Sequence, residues 1–189
     1  SNDPHFKVAM AAVEAGKPFN LEKPITLTAE EADILAKAAQ EKNAKNMVCF
    51  SYRFKAAARY AKDLIAQGKI GRVYHVNMQY FEAWGLPRAN CPLVWRYVKS
   101  RTGTGALGDL GSHALDLVRF VTNKEYTRVV GHTGTYVHER PLLDGKGVGK
   151  VDVDDFSNYM ADMEDEISVS FQITRFAYGR GNYQRMEIY

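Results

Sequence analysis

Pro18-Phe19-Asn20-Leu21-Glu22-Lys23-Pro24 and, further on, Met47-Val48-Cys49-Phe50-Ser51-Tyr52-Arg53-Phe54 decide the fold of the opening region. Each begins as a short apolar extended run and closes on charged or polar aromatic residues. Between them, Thr28-Ala29-Glu30-Glu31 has the T-x-x-E spacing of a capping box, in which a hydroxyl and a carboxylate satisfy exposed helix N–H groups. An Ala-rich helix follows to about Glu41. Before them, Phe6 to Ala15 is apolar at most positions and stops at Gly16, a residue free to make the left-handed turn that ends helices. Helix, strand, helix, strand with short links is the pattern of a parallel sheet covered by helices.

Beyond Phe54 the period changes. A helix fits Lys55 to Gln67, stopped by Gly68, and a Val/Tyr/Phe-rich strand fits Arg72 to Trp84. Trp84 to Gly105 reads as a loop. Ala106 to Val121 reads as a helix with Leu110, Ala114, Leu117, Val118 and Val121 on its apolar side. Further strands fit Arg128–Val137, Asp154–Met163, Ile167–Phe176 and Gln184–Tyr189, with Gly145, Gly147 and Gly149 in a loop before the second. Strand after strand predicts an antiparallel sheet. The chain therefore divides into an α/β region, residues 1–54, and an α+β region, residues 55–189. In the second region Ile167, Val169, Phe171 and Ile173 alternate with Ser168, Ser170, Gln172 and Thr174, giving one apolar face and one flat, uncharged face. Such a face suits a subunit contact, so a homo-oligomer, dimer or tetramer, is expected through it.

Composition excludes several classes. The chain is 46% hydrophobic and 25% charged, with a net charge of +3 from scattered lysines and arginines. No basic stripe interleaved with aromatics predicts nucleic-acid binding, and no apolar run reaches the ~18 residues of a membrane span. Ser1-Asn2-Asp3-Pro4-His5 is not a signal peptide. Cys49 and Cys91 are far apart without C-x-x-C spacing, which reads as free thiols in a reduced, cytoplasmic setting. The chain opens almost directly into a helix and closes on the strand-like Met186-Glu187-Ile188-Tyr189, so one or both ends are expected to cut through structure.

Three constellations carry chemistry. Ligands of open parallel sheets bind beyond the carboxyl ends of strands, where Glu22-Lys23-Pro24 and Tyr52-Arg53-Phe54 fall; the same residues also fit a solvated strand end with a surface ion pair. In Gly105-Ala106-Leu107-Gly108-Asp109-Leu110-Gly111-Ser112-His113-Ala114-Leu115-Asp116, Asp109 and His113 are i and i+4 on a helix, with Asp116 on nearly the same stripe. A carboxylate beside an imidazole can orient the ring and raise its basicity, as a general base for a hydroxyl proton requires. A helix-surface contact or a pair of metal ligands would use the same spacing, and the three glycines admit close approach by a ligand or by another backbone. The third constellation is Trp84, Trp95, Arg96 and Tyr97. Aromatic faces pack on sugar C–H surfaces and Arg binds anions or hydroxyls, while a hydrophobic lid over the sheet would have the same composition.

Taken in order, Ala15-Gly16-Lys17, Glu22-Lys23-Pro24, Tyr52-Arg53-Phe54, Ile70-Gly71-Arg72-Val73, Trp95-Arg96, the Gly105–Asp116 run and Gly179-Arg180-Gly181-Asn182 resemble the glucose-fructose oxidoreductase / inositol dehydrogenase (Gfo/Idh/MocA) family, nearest its levoglucosan- and inositol-dehydrogenase-like branch. The resemblance implies the C-terminal half of a Rossmann domain followed by a large open antiparallel sheet with helices on one face, and an active site between them. It implies NAD or NADP, a sugar or cyclic polyol as substrate, and oxidation of a hydroxyl to a ketone, without a metal. Lys23 and His113, with Asp109 orienting His113, would act on the alcohol. Glu22, Lys23, Arg53, Trp95 and Arg96 would lie on the cofactor side. The family's strand–G-x-G-x-x-G–helix unit, which cradles the pyrophosphate, is missing from these residues, as is the residue that separates NAD from NADP. These 189 residues alone are therefore expected to bind NAD(P) weakly and to be inactive. Glu164-Asp165-Glu166 stands where the family often has a glycine. A non-catalytic sugar- or dinucleotide-sensing regulator on the same fold is the alternative, and a bare oligomerisation module a third reading.

Overall fold

The two apolar runs of the opening region find each other: β1 (Phe19–Leu21) and β2 (Asn46–Val48) pair in parallel, Phe19 opposite Asn46. A computed structural model describes all residues, Ser1–Tyr189. α1 (His5–Glu14) ends at Gly16, whose φ of 62° lets the N–H groups of Gly16 and Lys17 reach back to Val13 and Ala12. That is the doubly bonded left-handed helix end. α2 (Ala29–Glu41) starts at Thr28, whose side chain accepts from the Glu31 N–H at 3.2 Å. The Glu31 carboxylate accepts from the Leu27 N–H, one residue earlier than a standard capping box. Ala9, Val13, Leu21 and Leu35 form the buried core of this region.

The second region contains α3 (Ala56–Ala66), β3 (His75–Phe81), a one-turn α4 (Lys99–Thr102), α5 (Ser112–Thr122), β4 (Tyr126–Gly134), β5 (Glu139–Pro141), β6 (Val148–Lys150), β7 (Phe156–Met163), β8 (Ser168–Thr174) and β9 (Tyr183–Ile188). Five strands form one sheet in the order β4-β7-β8-β3-β9. The sheet is mostly antiparallel, as expected, with one parallel pair. β3 and β8 run parallel, Tyr80 opposite Ile173, while the other three pairings are antiparallel. Between β3 and β8 the chain travels through α4, α5 and four strands, a connection long enough to return in the same direction. The parallel pair brings the carboxyl ends of β3 and β8 to the same edge.

Alternation fixes what each face does. Val76, Met78, Tyr80, Tyr159, Ala161, Met163, Val169, Phe171 and Ile173 point inward and bury against Ala114, Leu117, Val118 and Val121 of α5. Each large apolar side chain so removed from water contributes roughly 1.5–3 kcal/mol. The outer face carries a polar lattice in which His75 meets Ser168 at 2.6 Å and Gln79 meets Gln172 at 2.9 Å. β5 and β6 form a small hairpin turned by Gly145 and Gly147, both at positive φ, in the stretch the sequence reads as loop. No helix is long and apolar enough to cross a membrane.

The helix expected from Ala106 begins instead with a π turn, Leu107–Gly111, that runs into α5. What approaches its glycine-rich start is another piece of backbone. A Cβ on Gly105 would lie 1.9 Å from the Asp154 carbonyl oxygen, and the Asp154 carboxylate accepts from the N–H groups of Gly105 and Leu107, each at 2.7 Å.

Candidate active site

Lys23 lies two residues beyond the end of β1, so its ammonium leaves the first region and crosses to the second. There it donates to the Asp109 backbone oxygen at 2.7 Å and to Asp109 Oδ1 at 2.9 Å. The other carboxylate oxygen, Oδ2, faces Arg175 at 3.2 Å and Arg96 at 3.7 Å. One carboxylate thus gathers three cations. Burial alone would raise its pKa, but Lys23, Arg175 and Arg96 together outweigh burial and hold Asp109 below the ordinary carboxylate range.

His113 opens α5 and is 8% exposed. Its ring is packed edge-on against Tyr52 at 4.6 Å and Phe50 at 5.9 Å, with Tyr80 at 6.4 Å. Its Nδ1 is buried without a hydrogen-bond partner among the protein groups. Burial first, then the charge of Lys23, pushes the imidazole down to about 4, with Lys55 acting in the same sense and Asp109 against it. At neutral pH the ring is uncharged and carries a free lone pair.

Lys23, Asp109 and His113 therefore share one seam between the two regions, but the pairing expected from i, i+4 spacing does not form. Asp109 and His113 make no hydrogen bond; Asp109 is engaged by the three cations. Both oxygens of the Asp109 carboxylate are taken by these cations, and the His113 ring packs into the Phe50, Tyr52 and Tyr80 cluster instead. Arg53 is held in an ion pair with Asp116. Its guanidinium is bonded to both oxygens of buried Asp116, with the Nε–Oδ2 contact at 2.7 Å, and lies over Phe50 and Phe120. It ties the turn after β2 to α5. Asp116 belongs to that pair and not to His113. Of the remaining cofactor-side candidates, Glu22 is exposed, accepting only from the neighbouring Lys23 N–H at 3.3 Å. Trp95 lies under the Arg96 guanidinium at 4.4 Å, which places it one residue from the Asp109 cluster.

Four residues of the seam were given no individual role from the sequence. Tyr52, the residue next to Arg53, is the one that faces His113. Its hydroxyl, that of Tyr80 and the Asn182 side-chain oxygen meet pairwise at 2.7 Å. Tyr80 and Arg175 had a legible signal. They continue the inward registers Val76-Met78-Tyr80 and Val169-Phe171-Ile173-Arg175, where a polar group at a buried position has to find a partner. Asn182, at a φ of 54°, sits in the turn leading to β9.

These residues fit the nicotinamide end of a dinucleotide and not its phosphates. Glu22 stands exposed beyond the carboxyl end of β1, where ligands of parallel sheets bind. Neither β1 nor β2 is followed by a glycine-rich turn into a helix N-terminus, the usual phosphate cradle. No group of three His, Cys, Asp or Glu side chains gathers that would hold a metal ion.

Comparison with known proteins bears on the same seam. Residues 1–50 match the family model "Oxidoreductase family, NAD-binding Rossmann fold", and residues 58–189 match "GFO/IDH/MocA C-terminal domain". Levoglucosan dehydrogenase of Pseudarthrobacter phenanthrenivorans is 37% identical over all of this chain and 51% of that protein. A scyllo-inositol 2-dehydrogenase (NADP(+)) of Bacillus subtilis is 36% identical over 59% of the chain and 30% of its own length. Among solved structures, a levoglucosan dehydrogenase in complex with NADH and L-sorbose superposes with a TM-score of 0.94 at 39% identity, covering 99% of this chain and 50% of that one. An oxidoreductase domain protein from Kribbella flavida does so at 0.93 and 41%, with 99% and 50% covered. The chain spans about half the length of the curated relatives it matches over its whole length. It belongs to the Gfo/Idh/MocA family, and carries a fragment of that family's NAD-binding Rossmann domain followed by its C-terminal domain.

Proposed function

We propose that these residues form the substrate side of an NAD(P)-dependent oxidoreductase that converts a hydroxyl of a sugar or cyclic polyol to a ketone. The observation that carries the reading is the crossing of Lys23 to Asp109 beside an uncharged His113. When bound, the nicotinamide supplies the hydride acceptor. The chain's own residues handle the proton and the developing charge. The His113 lone pair accepts the hydroxyl proton. Lys23 keeps one N–H beyond the two bonded to Asp109 and directs it at the reacting oxygen, where negative charge grows as the proton leaves. Asp109 fixes Lys23 and, through its own charge, favours the imidazolium that forms. Tyr52 and Tyr80 wall the ring, their hydroxyls tied to each other and to Asn182. Glu22, Trp95 and Arg96 are assigned to the cofactor side. Named relatives that act on levoglucosan, scyllo-inositol and D-xylose support the substrate class. A protein carrying these residues on a complete dinucleotide unit, offered a panel of sugars and inositols with NAD+ and NADP+, should reduce one cofactor with at least one of them. Silence across the panel with both cofactors bound would remove the reading.

The polar outer face of β3, β7 and β8 is proposed as a contact between copies of the chain. It presents His75, Asn77, Gln79, Asn158, Ser170 and Gln172 with their side chains partly bonded to one another, a surface that loses little on being covered. Sedimentation at tens of micromolar should give a homo-oligomer; a monomer alone would count against the contact.

A further inference from the structure

Burial of Arg175 is not explained by the need to act on a hydroxyl. It follows Ile173 on the inward register of β8 and is 0% exposed. Its guanidinium lies over Trp84 at 4.6 Å and 5.6 Å from the ring of Tyr97, and Tyr97 carries Arg140 over its ring at 4.0 Å. The one anion within reach is Asp109, Oδ2 at 3.2 Å, while Nε and Nη1 find no partner among the protein groups. A buried ion pair is stabilising only when its geometry is good and its remaining hydrogen bonds are met. Here one nitrogen of the guanidinium meets one carboxylate oxygen. For folding alone, a methionine would suit the aromatic slot better.

The frame around it is stiff. The Arg175 N–H donates to the Asp155 carbonyl at 3.1 Å, and its own carbonyl accepts from Gly85 at 3.0 Å. Gly85 has room for no side chain, since a Cβ there would lie 2.8 Å from the Arg175 Cβ. Asp109 has two oxygens with different duties: Oδ1 accepts from Lys23 and Oδ2 faces Arg175. Arg96 also approaches Oδ2, but at 3.7 Å and from a half-exposed position.

We propose that Arg175 is a positioning residue: fixed between Trp84 and Tyr97, it holds Asp109 Oδ2 so that Oδ1 stays the acceptor that aims Lys23 at the reacting oxygen. The proposal rests on the function assigned to Lys23 above. The charged and titratable groups facing Asp109 are Lys23 after β1, Arg96 in the Trp95–Tyr97 turn, Arg175 after β8, Tyr80 on β3 and His113 on α5. Burial pulls the Asp109 pKa upward and Lys23 and Arg175 pull it down, so loss of Arg175 has a direct readout.

The test compares wild type, R175M and R175K by carbon-detected NMR titration of the Asp109 carboxyl in the 189-residue chain, and by steady-state kinetics in a protein with a complete dinucleotide unit. In R175M the Asp109 carboxyl should titrate about one pH unit higher or more. Its kcat should fall about tenfold or more, with little change in the cofactor KM. R175K keeps the charge but not the planar stack, so it should restore the titration and only part of kcat. An unmoved Asp109 in folded R175M overturns the proposal, and so does a moved Asp109 with undiminished kcat. Should R175M fail to fold, R175K decides: a lowered kcat with Asp109 unmoved supports the proposal, and wild-type kcat overturns it. A wild-type enzyme inactive on every sugar and polyol sinks the function assigned to Lys23, and this proposal with it, whatever the titration shows. An active wild type with R175 variants unchanged sinks this proposal alone.

Discussion

In the first region, four buried side chains close over a pair of three-residue strands; in the second, seventeen buried residues lie among α5, its approach turn and the five-stranded sheet. The small region nevertheless supplies Lys23, and the large one supplies the carboxylate that holds it. The contrast teaches that one site is shared between a strongly packed and a weakly packed region of the chain. The sheet core sets where Tyr80, Arg175 and α5 stand. The small core has only to deliver one strand end to that frame, and a weakly packed element can do so because the Lys23–Asp109 bonds fix the final position.

The strongest way to break this comparison is to remove chemistry without touching either core. Lys23→Met or His113→Asn, in a protein with a complete dinucleotide unit, should cut kcat by ~10²–10⁴-fold while circular dichroism stays unchanged. Near-wild-type turnover in either variant would mean that the seam is not the reacting site. Next in size is a comparison of the cores themselves. Phe171→Ala, in the sheet core, should cost about 3–5 kcal/mol in urea unfolding. Leu35→Ala, in the small core, should cost about 2 kcal/mol and loosen amide protection only in α1, α2 and the two short strands. Equal global effects from both would show the two regions unfolding as one unit.

A pH series sharpens the comparison at the seam. The His113 ring has a folded value of about 4, below its ordinary 6.5, so the unfolded chain takes up the proton first. Stability should therefore fall as pH drops from about 6.5 toward 4 and the loss should level off below that, amounting to up to about 3 kcal/mol. His113→Asn should flatten this window, and an identical pH profile in the variant would assign the loss to other groups. In the complete enzyme, the acid limb of kcat/KM should lie well below the usual imidazole range. Smallest is Thr28→Ala, which removes the α2 cap and should cost about 1 kcal/mol, confined to the first region.

Much of the architecture was legible because its causes are local. Gly16 and Thr28 mark helix ends by backbone freedom and by a hydroxyl, and period-2 alternation divides β8 into a buried and an open face. What failed was non-local or turned on small rotations. Strand order does not follow chain order, so nothing near His75–Phe81 announces a parallel partner in Ser168–Thr174. The Asp109–His113 pairing was read from neighbours in sequence, whereas cations from distant segments take the Asp109 carboxylate. Between neighbours Tyr52 and Arg53, a single 3₁₀ turn decides which one faces His113. The approach of Lys23 to Asp109 was expected from the strand-end rule and the family resemblance. The anchoring of Asp109 by Arg175 needed the alternation of β8 to be followed one step past the apolar run.

That last step gives the β3–β8 pairing a second meaning. Side chains alternate strictly between the faces of a strand, so a slip of one residue would turn Arg175 toward the outer surface and bring Thr174 or Phe176 to face Asp109. The charge inventory of the seam would change by one without any residue being replaced. The sheet therefore works as a ruler as well as a wall. Each apolar residue of the Val169, Phe171 and Ile173 row, by resisting exposure, is also a tick mark that keeps a guanidinium at its place.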